Sequence, residues 1–278
     1  MNNTAGLSDA EVLVRNNVVV SGRGEQAMVF AHGFGCDQHM WRLIAPAFED
    51  RYRVVLYDLT GAGQSDLAAY DPSRHATLAG HAADLRELLH ALGLRQVVFV
   101  GHSVSAMIGI LAATNEPDLF ECLVLVAPSP RYINDEHYTG GFSQADIRDL
   151  LDTMDHNYLG WSAGITPLVM GHPDRPELAS ELNASFCRTN PAIARHFARV
   201  VFLSDNRADL PLCHTPALII QCTQDALAPV AVGNYIHRHL AGSRLAVLDT
   251  SGHCPHLSAP QATLAAINHY LLQLDADK

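Results

Sequence analysis

A mostly parallel α/β sheet flanked by helices and interrupted by an inserted helical segment is the architecture this sequence predicts. Three observations carry it. Short β-branched runs recur along the chain, helical patterns lie between several of them, and the alternation stops for about eighty residues before it resumes.

The runs are Val18 to Val20, Met28 to Ala31, Val54 to Tyr57, Val97 to Val100, Leu123 to Val126, Leu218 to Gln221 and Leu245 to Leu248. Continuous apolar runs of this length suit strands covered on both faces. The clearest helical pattern is Leu78 to Leu92, where Leu85, Leu88, Leu89 and Leu92 recur at three and four; Thr77 is placed to cap it and Gly93 to end it. Strands alternating with helices imply parallel pairing through crossovers. Between Ser129 and Leu212 the strand signal lapses, and Pro128, Pro130, Gly140-Gly141, Pro173, Pro176 and Pro191 punctuate several short helical stretches. Residues 1–128 and 213–278 are therefore expected to form the core, and 129–212 a helical cap.

Bulk properties bound the rest. The chain has 278 residues, 48% of them hydrophobic and 17% charged, ample for one sizeable core. Its formal charge is −11 and no basic run occurs, so nucleic acid and anionic membrane surfaces are expected to be repelled. The opening MNNTAGLSDAEVLVRNN has neither a basic nor an apolar leader region, and no stretch is long enough to span a bilayer, so a cytoplasmic location is expected. The six cysteines lack CxxC or zinc-finger spacing, and the sixteen histidines include no HExxH, so neither a disulfide framework nor a metal is expected. The His237-Arg-His239 pair falls in a helical stretch ending near Gly242.

The strongest chemical signal is Val97-Val-Phe-Val-Gly101-His102-Ser103-Val104-Ser105-Ala106, an apolar run feeding a small-residue turn that opens a helix near Met107. A strand, a sharp turn and a helix around G-x-S-x-G form a nucleophile elbow, which requires small residues beside the serine because the helix passes close to the strand. Here Ser105 replaces the second glycine. The plainer alternative is that Ser103 only caps the following helix.

Upstream, His32-Gly33-Phe34-Gly35 directly follows an apolar run. Acyl transfer builds charge on the former carbonyl oxygen, and preorganised backbone N–H groups stabilise it. The expected donors are the amides of Phe34 and Val104, with Phe34 walling the pocket; a plain turn is the alternative. Late in the chain, His253 follows Gly252 after one run, and Asp225 follows another, giving the order Ser, Asp, His. His256 competes with His253, but Pro255 should start a helix that carries His256 away. Asp58, in the glycine-rich Asp58-Leu-Thr-Gly-Ala-Gly63-Gln-Ser65, sits wrongly for the acid, and that stretch lacks the lysine and the spacing of a phosphate loop. These residues predict a serine hydrolase of the α/β-hydrolase fold, with Ser103 as nucleophile, His253 as general base and Asp225 orienting it, and no cofactor. A serine nucleophile also argues against haloalkane chemistry, which needs a carboxylate at that place.

Several segments resemble one branch of this superfamily: HGFG, GHSVSAMIG, Pro128-Ser-Pro-Arg-Tyr132 with Asn134, Gly140-Gly-Phe142, Ser204-Asp205 with Arg207, Ser251-Gly-His253 and Leu257-Ser-Ala-Pro260. The branch contains the bacterial stress-signalling hydrolase RsbQ and the plant karrikin and strigolactone receptors, and the resemblance runs from about Glu11 to near the C-terminus. It implies a four-helix cap over a deep apolar pocket, slow hydrolysis of a small hydrophobic ester or butenolide lactone, and a sensing role. It further implies pocket positions at Phe142, Trp161, Ile165 and Phe202 beside Phe34, a monomer, and a regulatory protein partner of the phosphatase type known for RsbQ. Ile165 stands where the plant receptors commonly carry an aromatic residue, so a wider or differently shaped pocket is expected. A plain metabolic ester or carbon–carbon hydrolase and a receptor-like binding module are the competing functions.

Overall fold

The computed structural model describes residues 7–277; the leader-region expectation falls partly on residues 1–6, outside the described part. A seven-stranded sheet is assembled from β1 (Val19–Ser21), β2 (Ala27–Ala31), β3 (Arg53–Tyr57), β4 (Val97–His102), β5 (Phe120–Val126), β6 (Ala217–Gln224) and β7 (Ser243–Ser251), in the order β1-β3-β2-β4-β5-β6-β7. Within this sheet, among the described residues, β1 pairs antiparallel with β3 and the other strand pairings are parallel. The seven apolar runs all became strands. Central β2 and β4 are buried at every residue, while β1 and β7 at the edges are partly open, as covered parallel sheets require.

The helices are α1 (Asp9–Arg15), α2 (Leu78–Ala91), α3 (Val104–Asn115), α4 (Gln144–His156), α5 (Tyr158–Met170), α6 (Pro176–Arg188), α7 (Pro191–Phe202), α8 (Val230–His239), α9 (Pro255–Ser258) and α10 (Pro260–Ala276). The chain leaves the sheet after β5 and returns at β6, and α4 to α7 lie between. Pro176 and Pro191 occupy the first helical positions of α6 and α7, where a missing N–H costs nothing.

Two local expectations change. Thr77 precedes α2, but its side chain makes no capping bond. The helix after the elbow begins at Val104, not near Met107, because the turn is compressed into Ser103 itself, whose φ of 54° and ψ of −120° reverse the chain in one residue. Among the described residues no helix is long and apolar enough to cross a membrane, and no disulfide joins the cysteines.

Candidate active site

Strand β4 and helix α3 set the first side chain. Ser103 sits in the left-handed φ region that a residue with a Cβ enters only at a cost of about 1–3 kcal/mol. The close packing of helix on strand explains the small neighbours: a Cβ on Gly101 would lie 2.6 Å from the Ser105 carbonyl oxygen, and one on Gly109 2.4 Å from the Phe99 ring. Ser105, the departure from the usual glycine, is fully buried and donates its hydroxyl to the His32 carbonyl at 2.5 Å. It thereby ties the elbow to the loop that carries Phe34.

Three distant segments converge on Ser103. The Ser103 hydroxyl donates to His253 Nε2 at 2.8 Å, and His253 Nδ1–H donates to Asp225 Oδ2 at 2.7 Å. A carboxylate only accepts, so the proton sits on Nδ1 and Nε2 is left free to accept. Asp225 Oδ1 accepts the amides of Leu227 (2.8 Å) and Ala228 (3.1 Å), which fixes the carboxylate plane. His253 is anchored from the other side as well, since its amide donates to Val169 of α5 at 2.7 Å. Gly252 makes this approach possible: its φ is +88°, and a Cβ there would lie 2.0 Å from the Met170 carbonyl oxygen.

The Phe34 loop follows β2. His32 accepts the Leu59 amide on Nε2 at 3.0 Å and so donates from Nδ1 to the Gly33 carbonyl at 2.8 Å, which locks the loop. Gly33 packs directly on the elbow, where its Cβ would lie 3.4 Å from the Ser103 Cβ. Among the described residues, neither the Phe34 nor the Val104 amide donates to a protein acceptor, so both are available to a developing oxyanion.

An apolar cavity of about 40 Å³ opens beside Ser103. Phe34, Trp161, Ile165 and Phe202 line it, together with Tyr132 and Phe186. Phe142 does not line it: its amide donates to Tyr132 and its carbonyl accepts from Asn134, pinning it half-buried in the loop before α4. Burial pushes the Tyr132 phenol up to about 12, while interaction with Ser103 pulls the other way. Phe186 was missed, although Leu182 and Phe186 mark an apolar face at i, i+4 spacing on α6.

His256 lies in α9, fully buried, with neither ring nitrogen hydrogen-bonded and its ring packed between Trp41 (4.7 Å) and His102 (4.5 Å). It does not bond Ser103. Asp58 is likewise absorbed elsewhere, accepting the Gln38 and Gln64 amides and the Asn17 side chain. Spacing along the chain gave no metal pattern, yet folding gathers His102, Cys254 and His256, and separately His75, His81 and Asp84, with donor atoms within 4.8 Å. In the second group the carboxylate is occupied by Arg74, His75 and Thr60.

The Alpha/beta hydrolase family matches residues 28–267. Strigolactone esterase D14 of Arabidopsis thaliana is 41% identical over 255 residues, 91% of this chain and 95% of the relative. Karrikin insensitive 2 receptor CA of Petunia hybrida is 40% identical over 257 residues, 92% and 95%. The solved structure of olei00960, a hydrolase from Oleispira antarctica, superposes with a TM-score of 0.93 at 39% identity, covering 96% of this chain and 98% of that one. On these similarities and this fold, the chain is a hydrolase belonging to the alpha/beta hydrolase family, in the branch of the strigolactone esterases and karrikin receptors.

Proposed function

We propose that the protein is a serine hydrolase that cleaves a small hydrophobic ester or a butenolide-type lactone. The observation that carries the reading is the unbroken relay from Ser103 Oγ to His253 Nε2 (2.8 Å) and from His253 Nδ1 to Asp225 Oδ2 (2.7 Å). His253 takes the Ser103 proton as the oxygen attacks the carbonyl carbon. Asp225 holds the ring in the tautomer that can accept that proton, and stabilises the imidazolium once formed. The tetrahedral oxyanion lies against the amides of Phe34 and Val104. Collapse expels the alcohol, or opens the lactone, as His253 returns the proton; water then attacks the acyl-serine by the same route.

The substrate class follows from the walls. Phe34, Trp161, Ile165, Phe186 and Phe202 surround Ser103, and the cavity of about 40 Å³ lies well below the roughly 300 Å³ of a drug-sized pocket. A short acyl group or a single lactone ring suits it; a long chain does not. Residues 129–212, read as a cap over a core of 1–128 and 213–278, supply most of these walls, so ligand and cap position are coupled.

The names of the plant relatives, an esterase in one case and a receptor in the other, support a sensing output coupled to hydrolysis; a signalling role like that of RsbQ with a regulatory protein partner, exerted by a cytoplasmic monomer, is the form of it we propose from the sequence resemblance. The test is Ser103→Ala, which should abolish p-nitrophenyl acetate hydrolysis while leaving ligand-induced melting shifts intact. Retained hydrolysis would refute the proposal. Loss of turnover with partner capture preserved would favour the receptor reading instead.

A further inference from the structure

We propose that His102, the residue between Gly101 and Ser103, is a positioning residue that holds the nucleophile, the oxyanion loop and the base loop in register. The inference rests on the reading of Ser103 as nucleophile. His102 is 2% exposed and touches all three segments. Through the backbone it is the neighbour of Ser103. Its Nε2–H donates to the His253 carbonyl at 2.8 Å, a bond that spans 151 positions of sequence. Its opposite edge lies on the loop before Phe34, where a Cβ on Gly33 would come within 2.5 Å of Nδ1 and 2.9 Å of Cε1. The His253 ring lies 5.2 Å away, and His256 backs the assembly at 4.5 Å.

The contact demands an N–H donor at the Nε2 position. A carbonyl only accepts, so the proton must be on Nε2, and the unpartnered Nδ1 faces the glycine backbone. Burial, and after it repulsion from His256 and His253, holds the ring neutral, so the proton resides on one nitrogen only. Leucine would fill similar volume without donating. Glutamine carries an N–H donor near the Nε2 position but lacks the flat edge that Gly33 accommodates. The same contact accounts for glycine at position 33, since any side chain there would drive His102 off the base loop.

The consequence is kinetic. His253 is fixed through its amide by Val169 and through its ring by Asp225 and Ser103; the His102 bond ties its backbone carbonyl to the elbow as well. Misplacing a reacting group by about 1 Å costs on the order of 100-fold in rate.

The experiment compares His102→Leu and His102→Gln in steady-state hydrolysis of p-nitrophenyl acetate and in the rate of Ser103 labelling by a fluorophosphonate. For His102→Leu, kcat and labelling rate should fall about 30- to 100-fold with KM within about threefold, and His102→Gln should recover most of that loss. A folded His102→Leu with kcat within about threefold of the parent, or a glutamine variant no better than leucine, overturns the proposal. If His102→Leu does not fold, His102→Asn, which donates from the wrong end of the ring's footprint, should show the same loss of kcat without loss of KM; parent-like kcat in that variant equally overturns it. Persistent labelling and hydrolysis in Ser103→Ala would instead show that the nucleophile reading had failed, whatever the His102 variants do.

Discussion

His256→Phe separates packing from chemistry beside the catalytic histidine, and its effect can be worked from the structure. The ring is fully buried between Trp41 and His102 with both nitrogens unpartnered. Burial first, then repulsion from His253 and Arg42, lowers its pKa from 6.5 to about 3. A base whose folded pKa is depressed takes up a proton in the unfolded chain that the native state refuses, so unfolding is favoured as pH falls below 6.5 and increasingly so down to about 3. At about 1.4 kcal/mol per unit, this one ring withholds on the order of 2 kcal/mol at pH 5 relative to pH 7. Phenylalanine keeps the ring stack and removes the titration. Urea unfolding at the two pH values should show the variant at least as stable as the parent at pH 7, since an unpaired buried donor costs about 1–3 kcal/mol. At pH 5 it should be further ahead by about 2 kcal/mol. His81 and His102 are shifted in the same sense and remain in both proteins, so the difference reports chiefly on His256. Equal loss of stability in parent and variant between pH 7 and pH 5 would refute the reasoning, and so would a loss of hydrolysis comparable to that of His253→Phe.

Other perturbations follow from the same geometry. Gly252→Ala places a Cβ 2.0 Å from the Met170 carbonyl at φ +88°, so the base loop must move; kcat should fall about 100-fold, measured by steady-state hydrolysis beside a thermal melt. Asp225→Asn preserves shape but favours the wrong His253 tautomer and should lower kcat by roughly 10⁴ with little change in KM. Ser105→Ala leaves the buried His32 carbonyl without its donor and should destabilise the fold by about 1–3 kcal/mol in urea titration. Ile165→Ala enlarges the cavity, and the ratio of p-nitrophenyl butyrate to acetate kcat/KM should rise.

Much of this was legible because its physics is local. Each buried strand needs a run of apolar residues, and the elbow needs small residues around one serine, so β4, Ser103 and α3 stand out in a ten-residue window. Asp225 and His253 were legible for a topological reason: ligands meet the carboxyl ends of parallel strands, and both residues follow such ends. What was hidden depends on pairs far apart in sequence. Ser105 stands where the motif usually has its second glycine, yet its hydroxyl is a link across 73 positions to the Phe34 loop. Phe142 was carried over to the pocket by likeness, and backbone bonds to Tyr132 and Asn134 keep it off the cavity. Phe186 and Tyr132 line the cavity beside Ser103 only because α6 and the loop after β5 fold over the sheet, which periodicity along one element does not specify.

Covalent trapping addresses the central claim most directly. A crystal soaked with a slowly released p-nitrophenyl ester should show the acyl group on Ser103 Oγ, its carbonyl oxygen within hydrogen-bond reach of the Phe34 and Val104 amides, and His253 still bonded to Asp225. An acyl group on any other residue, or steady turnover of that ester with Ser103 free and unmodified, would contradict the account.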